Sequence, residues 1–185
     1  MILLHALSLL AVSQLDMSPM LERGPMVLIE EGPGGKFAQC SAIVVIDAPP
    51  EKVWELVKAQ QHFKDFIPKV LVSEMKPSGT DFEVHMVIDV PGPDTDYVVR
   101  YTIDDAARTM TGCWAKGDLK ASRWFWKLEA APGNKTLLTH TATLKNFSGI
   151  AQSLEDDNQT ITVGVNVSSV LAATKALKKK AESSK

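Results

Sequence analysis

The strongest constraint on the fold of this chain is an alternation of apolar and polar side chains that recurs in five successive segments. Side chains two residues apart lie on the same face of a β-strand, so each segment predicts a strand with one apolar face. These faces carry Phe82, Val84, Met86 and Ile88; then Tyr97, Val99, Tyr101 and Ile103; then Met110, Gly112 and Trp114; then Trp124, Trp126 and Leu128; and finally Leu138, His140, Ala142 and Leu144. Five such strands predict an antiparallel sheet with one buried face and one wet face.

Turn signals and helical spacing place the remaining elements. A helix is expected to begin at Pro50, because proline suits the first helical turn and Glu51 lies near the positive helix end. A second short helix is expected over residues 62–67, and a long C-terminal helix from residue 159 or 162 to residue 182. We predict strands over residues 37–46, 70–76, 81–89, 96–104, 109–116, 122–130 and 136–144, with a short strand or extended arm over residues 26–30.

The C-terminal helix supplies an apolar stripe that could cover the sheet. The stripe consists of Val163, Val167, Val170, Leu171, Thr174 and Leu177. One helix cannot fill a strongly curved sheet of this size, which favours a cavity between the two. The alternative is that the inward tryptophans and tyrosines fill this space as ordinary core, and the residue pattern leaves both options open.

Three groups of motifs resemble a known superfamily. Residues 41–70, SAIVVIDAPPEKVWELVKAQQHFKDFIPKV, resemble the opening of START-like (SRPBCC) polyketide cyclase and coenzyme Q-binding proteins: a strand, an APPEKVW helix start and an aromatic-x-Pro element. The segments WKL at residues 126–128 and GNKTLL at residues 133–138 resemble a later strand pair of that superfamily. DYVVRY at residues 96–101 is similar to a strand of small exported bacterial START-domain proteins.

This resemblance spans residues 37–182 and implies a fold. The fold is the α+β helix-grip (START/Bet v 1-like) arrangement, a seven-stranded antiparallel sheet wrapped around a long C-terminal helix with a ligand cavity between them. Because this fold hosts many functions, the chemistry must be argued from the residues themselves.

The N-terminal residues differ from the rest of the chain. Residues 2–12 are nearly all apolar, too short a run to cross a bilayer, and Ala11 and Ser13 suit a signal-peptide cleavage site. No Lys or Arg precedes the run, so a short helix packed on the domain is the alternative. We expect residues 1–13 to be a signal peptide, residues 14–35 an extension and linker, and residues 36–185 the ligand-binding domain. The protein would then be periplasmic or secreted, and otherwise cytoplasmic.

Composition and spacing narrow the partners. The formal net charge of −2 does not favour nucleic acid. The four histidines lack metal-ligand spacing and there is no Gly-rich phosphate loop, so we expect no metal and no cofactor. A cluster of lysines near the C-terminus is expected to form a solvated helix end, with transient membrane contact as the alternative. The cluster consists of Lys175, Lys178, Lys179 and Lys180. By strand parity Cys40 faces inward and Cys113 outward, which argues against a disulfide.

The apolar face also provides the candidate site. No Asp or Glu lies on the inward positions of the five strands, whereas general acid–base catalysis needs a titratable group beside the substrate. We therefore predict a monomeric carrier of a lipid, sterol or quinone-like molecule, with a polyketide cyclase or aromatase as the alternative and a protein-binding domain with a filled core as a third option. The predicted ligand-binding residues are Phe82, Val84, Met86, Ile88, Tyr97, Val99, Tyr101, Trp114, Trp126, His140, Val167 and Val170.

Two further expectations concern the borders and the polar end of this site. The loop at residues 90–94 and the stretch at residues 146–158 are candidate gates, because each borders the apolar face and contains glycine. A buried imidazole at His140 needs a partner, and we expect a tyrosine hydroxyl, a water or the polar end of the ligand.

The proposed signal peptide yields a direct test. We expect protein from the native host to begin at Gln14, because cleavage after Ser13 places small residues at both critical positions. N-terminal sequencing measures this, and an intact Met1 would exclude the assignment.

Overall fold

The computed structural model describes residues 18–78, 81–146 and 159–183. The predicted signal peptide therefore lies outside the described residues, as does most of the second candidate gate. Within the described parts the chain forms three α-helices, two 3-10 helices and eight strands. The α-helices are α1 (Ser18–Leu21), α2 (Pro50–Lys58) and α3 (Gln159–Ser183), and the 3-10 helices are η1 (Pro33–Gly35) and η2 (Gln60–Asp65). The strands are β1 (Met26–Glu31), β2 (Phe37–Ile46), β3 (Val70–Ser78), β4 (Asp81–Ile88), β5 (Thr95–Asp104), β6 (Thr109–Gly117), β7 (Arg123–Ala131) and β8 (Lys135–Thr143).

All eight described strands belong to one antiparallel sheet, in the order β1-β2-β8-β7-β6-β5-β4-β3. Helix α3 packs across β2 and β8, which gives the predicted helix-grip architecture. The sheet has one strand more than the seven expected. The additional strand is β1, which pairs with β2 through a register that joins Met26 to Ile43. Residues 26–31 are thus part of the sheet, and the segment predicted as a short strand or extended arm is a strand.

The alternation predicted from the sequence appears as alternating burial. In β8, Thr136, Leu138, His140 and Ala142 are buried while the residues between them are half-buried. Cross-strand pairing keeps equivalent faces together, because Trp126 lies directly opposite His140 and Trp124 opposite Ala142. The aromatic residues of β7 therefore share the concave, inward face with the imidazole of β8.

A buried side-chain amide fixes the first half of α3 to the sheet. Asn166 is fully buried, and its Oδ1 accepts a hydrogen bond from Leu144 N at 2.7 Å. Its Nδ2 donates to Leu144 O at 3.2 Å and to Thr162 O at 2.9 Å. One side chain thus satisfies both main-chain groups of the residue that follows β8.

The last turns of α3 are fixed at a second point. Lys178 Nζ donates to Val45 O at 2.6 Å and to Glu182 Oε1 at 2.6 Å, and Glu182 also accepts from Asp47 N at 2.8 Å. Between the two points the helix buries Val170 and Leu177 against the sheet. Helix α3 is long and apolar enough to cross a membrane by length and composition, and its Val170 and Leu177 belong to the buried core of the domain.

We expect Asn166→Ala to destabilise the protein by about 1–3 kcal/mol, because it leaves the main-chain groups of buried Leu144 without their partner. Urea denaturation followed by circular dichroism measures the change. Lys175→Ala, on an exposed position of the same helix, is the control and should stay within about 0.5 kcal/mol of wild type. Equal effects of the two substitutions would contradict the role assigned to the hydrogen bonds between Asn166 and Leu144.

Candidate functional site

A cavity of about 550 Å³ lies between the concave face of the sheet and the first half of α3. Its wall is formed by β3, β4, β5, β7 and β8, by η2 and by one face of α3. The lining residues are Gln60, Phe63, Ile67, Pro68, Lys69, Val70, Met86, Ile88, Val90, Pro91, Thr95, Tyr97, Tyr101, Leu119, Trp124, Trp126, His140, Leu144, Ile161, Val165, Ser168, Ser169, Ala172 and Ala173. Most of these side chains are apolar or aromatic, as in small-molecule binding sites.

The cavity exists because α3 covers only part of the sheet. Its buried stripe faces β2 and β8, and its cavity-facing side carries Ser168, Ser169, Ala172 and Ala173. These short side chains leave the space above β4, β5 and β7 unfilled. Pro68, Lys69, Pro91, Ser168 and Ala172 line the cavity and are exposed, so they mark its mouth.

Aromatic stacking organises the inner wall. His140 stacks on Trp126 with ring centroids 3.5 Å apart, and Tyr97 stacks on Trp124 at 5.5 Å. Tyr101 lies over Gly112, where a Cβ atom would be 2.5 Å from Tyr101 Cε1. A larger residue at position 112 would therefore displace the tyrosine ring from the wall.

His140 has a fixed tautomer. Its Nδ1 lies 3.1 Å from Phe125 O, and a carbonyl can only accept, so Nδ1 carries the proton and Nε2 carries a lone pair. Burial lowers the pKa of His140 to about 4, while the bond to Phe125 O acts in the opposite direction. The partner is thus a backbone carbonyl, none of the three partners expected from the sequence. The imidazole is neutral at physiological pH.

The other polar groups of the wall also remain uncharged. Burial raises the pKa of Tyr97 and of Tyr101 far above the ordinary value, and each hydroxyl thus keeps its proton. Among the described lining residues there is no Asp or Glu, and Lys69 pairs with Asp89 at the mouth through a 2.5 Å contact. The interior of the cavity is therefore electrically neutral.

The two cysteines lie away from this chemistry. Cys40 is fully buried in β2, and burial raises the pKa of its thiol to about 11, which makes the thiolate scarce. Cys113 is exposed in β6 on the outer face, and its strand is not a neighbour of β2. Neither thiol lines the cavity.

Six of the predicted ligand-binding residues line the cavity and six do not. Those in the wall are Met86, Ile88, Tyr97, Tyr101, Trp126 and His140, and those outside it are Phe82, Val84, Val99, Trp114, Val167 and Val170. All strand members of the second group pack against the core, so their inward parity is observed. Strand parity specifies the face but not whether a helix, another ring or open space covers it.

Individual contacts explain these exclusions. Phe82 stacks on Tyr101 at 5.5 Å, and Val84 and Val99 are fully buried in the core. Trp114 is half-buried, and its indole N–H donates to Gly117 O at 3.1 Å beyond the bulge between Val98 and Val99. Val170 is fully buried in the α3 stripe, and Val167 is half-buried beside it. Whether any of the twelve binds ligand stays a prediction.

Several lining residues were not predicted. Trp124 shares the parity of Trp126 and could have been included on that ground. The cavity side of α3 at Ile161, Val165, Ser168 and Ala172 has the spacing of one helical face, but its small and polar members conceal it. The packing of η2 on β3, which no local pattern reveals, brings Gln60 and Phe63 to the cavity, and Ile67 follows that helix.

Comparison with known proteins supports this architecture. The family model described as polyketide cyclase/dehydrase and lipid transport matches residues 46–157. A search of curated protein sequences finds no significant match.

Solved structures of other proteins share the fold. The aromatase/cyclase Zhui from Streptomyces sp. R1128 superposes with a TM-score of 0.68 at 18% identity, covering 78% of this chain and 93% of its own. A STAR-related lipid transfer protein from Xanthomonas axonopodis has a TM-score of 0.64 at 17% identity, covering 86% and 94%. A START superfamily protein from Mycobacterium smegmatis has a TM-score of 0.60 at 12% identity, covering 80% and 99%. An aromatase/cyclase and a lipid transfer protein both occur among these neighbours, so the fold does not separate enzyme from carrier.

The depressed pKa of His140 leads to a pH-dependent stability. The folded pKa of about 4 lies below the ordinary value of 6.5, so the unfolded chain binds a proton more readily between these values. We expect the free energy of unfolding to fall as pH drops from 6.5 to 4, by up to about 3 kcal/mol. In His140→Leu this part of the pH dependence of the unfolding free energy should be absent. Denaturation at several pH values measures it, and parallel curves for both proteins would contradict the assignment.

Proposed function

Because the chain belongs to the polyketide cyclase/dehydrase and lipid transport family, we propose that it binds and carries a hydrophobic small molecule in the cavity beneath α3. The observation that carries this proposal is the composition of the wall, which is apolar and aromatic and holds a few uncharged polar atoms. A cavity of about 550 Å³ lies within the range of small-molecule sites. We propose a lipid, a sterol or a quinone as the ligand, because each is a largely apolar molecule that suits such a wall.

Burial would supply most of the affinity. Apolar surface removed from water contributes about 25 cal/mol per Å², before the costs of ordering the ligand and the wall are subtracted. The mouth at Pro68, Pro91 and Ala172 provides an entry path beside α3. The loop at residues 90–94 borders this mouth through Val90 and Pro91, which supports its proposed role as a gate.

A polyketide cyclase or aromatase is the second candidate, because Nε2 of His140 is an acceptor on the cavity wall. The pKa of about 4 argues against it, since an efficient general base has a pKa near the working pH. The distinguishing measurement is product analysis after long incubation with candidate polyketides. Turnover that falls about 100-fold or more in His140→Leu would promote the enzyme over the carrier.

A variant that fills the cavity tests the carrier. We expect Ser169→Phe to reduce copurified lipid, measured by native mass spectrometry, at least tenfold, because the new ring enters the cavity from α3. Lys175→Phe places the same ring on an exposed position of the same helix and is the matched control. Equal lipid content in wild type and both variants would contradict binding in this cavity.

A further inference from the structure

One nitrogen of the His140 ring has no partner. The ring is part of the cavity wall and is 2% exposed. Nδ1–H donates to Phe125 O at 3.1 Å, and the lone pair of Nε2 makes no hydrogen bond with the described residues. The two nitrogens of an imidazole ring point in nearly opposite directions. Because Nδ1 is turned toward the main chain of β7, Nε2 is turned away from that strand.

This nitrogen is open to the cavity. Among the described residues, the side-chain polar atoms that are both sealed by their neighbours and unpartnered are Gln61 Oε1 and Trp126 Nε1. His140 Nε2 is unpartnered as well but is not one of these sealed atoms, so it retains accessible surface. Since His140 is otherwise buried and lines the cavity, that surface faces the cavity. A bound molecule can therefore reach the lone pair.

The open acceptor differs from the other polar groups of the described wall. Those groups are hydroxyl, amide, indole and ammonium groups, and each carries a hydrogen that it can donate to an oxygen. Neutral His140 uses its one N–H for Phe125 O and offers the cavity a lone pair alone. It can bond to a donor, whereas the lone pairs of a ketone, ester or quinone oxygen would be repelled.

From this arrangement, which rests on the proposed function, we propose that His140 Nε2 accepts a hydrogen bond from a free hydroxyl group of the ligand. The ligand is then a largely apolar alcohol or phenol, such as a sterol or a hydroxyl-bearing lipid, rather than a quinone or an ester. A ligand without a donor would cover Nε2 and leave a buried acceptor unpaired, which is unfavourable. His140 thereby determines specificity within the class of apolar ligands.

A fatty acid also carries a hydroxyl, but only in its protonated form. A carboxylate beside His140 would face a lone pair and would lack a cation, because Lys69 is exposed at the mouth and paired with Asp89. Carboxyl groups ordinarily titrate near pH 4, so the protonated form is scarce at neutral pH. An alcohol provides the same donor without this cost.

The proposal is tested with 2-undecanol and 2-undecanone, two compounds of nearly equal shape that compete with the neutral dye Nile red. The readout is the ratio of the affinities for alcohol and ketone. Its change between wild type and variant cancels the different solubilities of the two compounds. We expect the ratio to fall about 5- to 30-fold in His140→Phe, which keeps a ring against Trp126 but removes the acceptor.

His85→Phe is the matched control. It makes the same exchange at a residue outside the cavity wall, where Nε2 pairs with Asp96 Oδ1 at 2.8 Å. Its ratio should equal that of wild type. An equal ratio in wild type and His140→Phe would overturn the proposal while leaving the carrier function intact. Failure of Nile red and both compounds to bind wild type would overturn the carrier function as well.

NMR of wild type keeps the test valid if His140→Phe folds poorly. In protein labelled with nitrogen-15 at histidine, the signal of His140 Nε2 should move upfield with 2-undecanol, because its lone pair becomes an acceptor, and should move less with 2-undecanone. Undecanoate at pH 8 should compete more weakly than 2-undecanol, because its protonated form is scarce. Equal shifts with alcohol and ketone, or tighter binding of undecanoate than of the alcohol, would overturn the proposal.

Discussion

The hydrogen bonds between Asn166 and Leu144 determine where α3 lies on the sheet. Leu144 follows β8 directly, so this pair holds the first half of the helix at one end of that strand. Lys178 and Glu182 hold the last turns to the main chain at the end of β2. Because α3 is held at both points, it must lie along β2 and β8. It cannot also cover β4, β5 and β7, and the cavity is the space that results.

The same constraint explains why the cavity wall is rich in aromatic side chains. Part of the concave face is not covered by α3. Large flat rings there cover much of the sheet surface while adding only a thin layer to the wall. Stacking of Trp126 on His140 and of Trp124 on Tyr97 holds the rings against the sheet. The opposite wall contributes small side chains such as Ser169 and Ala173. Large residues on a rigid sheet and small ones on the helix together leave a defined volume.

Much of this fold follows from the sequence because strand alternation reports burial directly. The inward positions of β4 to β8 were predicted in this way, and the predicted C-terminal helix covers nearly the same residues as α3. The candidate site was harder to predict, since Val84 and Met86 have the same parity yet only Met86 reaches the cavity. That difference depends on where the helix lies, which is set by contacts between distant residues such as Asn166 and Leu144. The edge strand β1 was ambiguous for a similar reason, because its identity depends on pairing with β2.

The polar groups of the cavity are poor acids and poor bases. His140 donates through Nδ1 to Phe125 O, and its pKa of about 4 makes the remaining nitrogen a weak base. The tyrosines are raised in pKa by burial, so they are poor acids that hold their protons. Groups that neither give up nor take up a proton readily can still donate or accept hydrogen bonds at any physiological pH. A wall built from such groups supports the proposed carrier, because it can orient a neutral ligand without proton transfer.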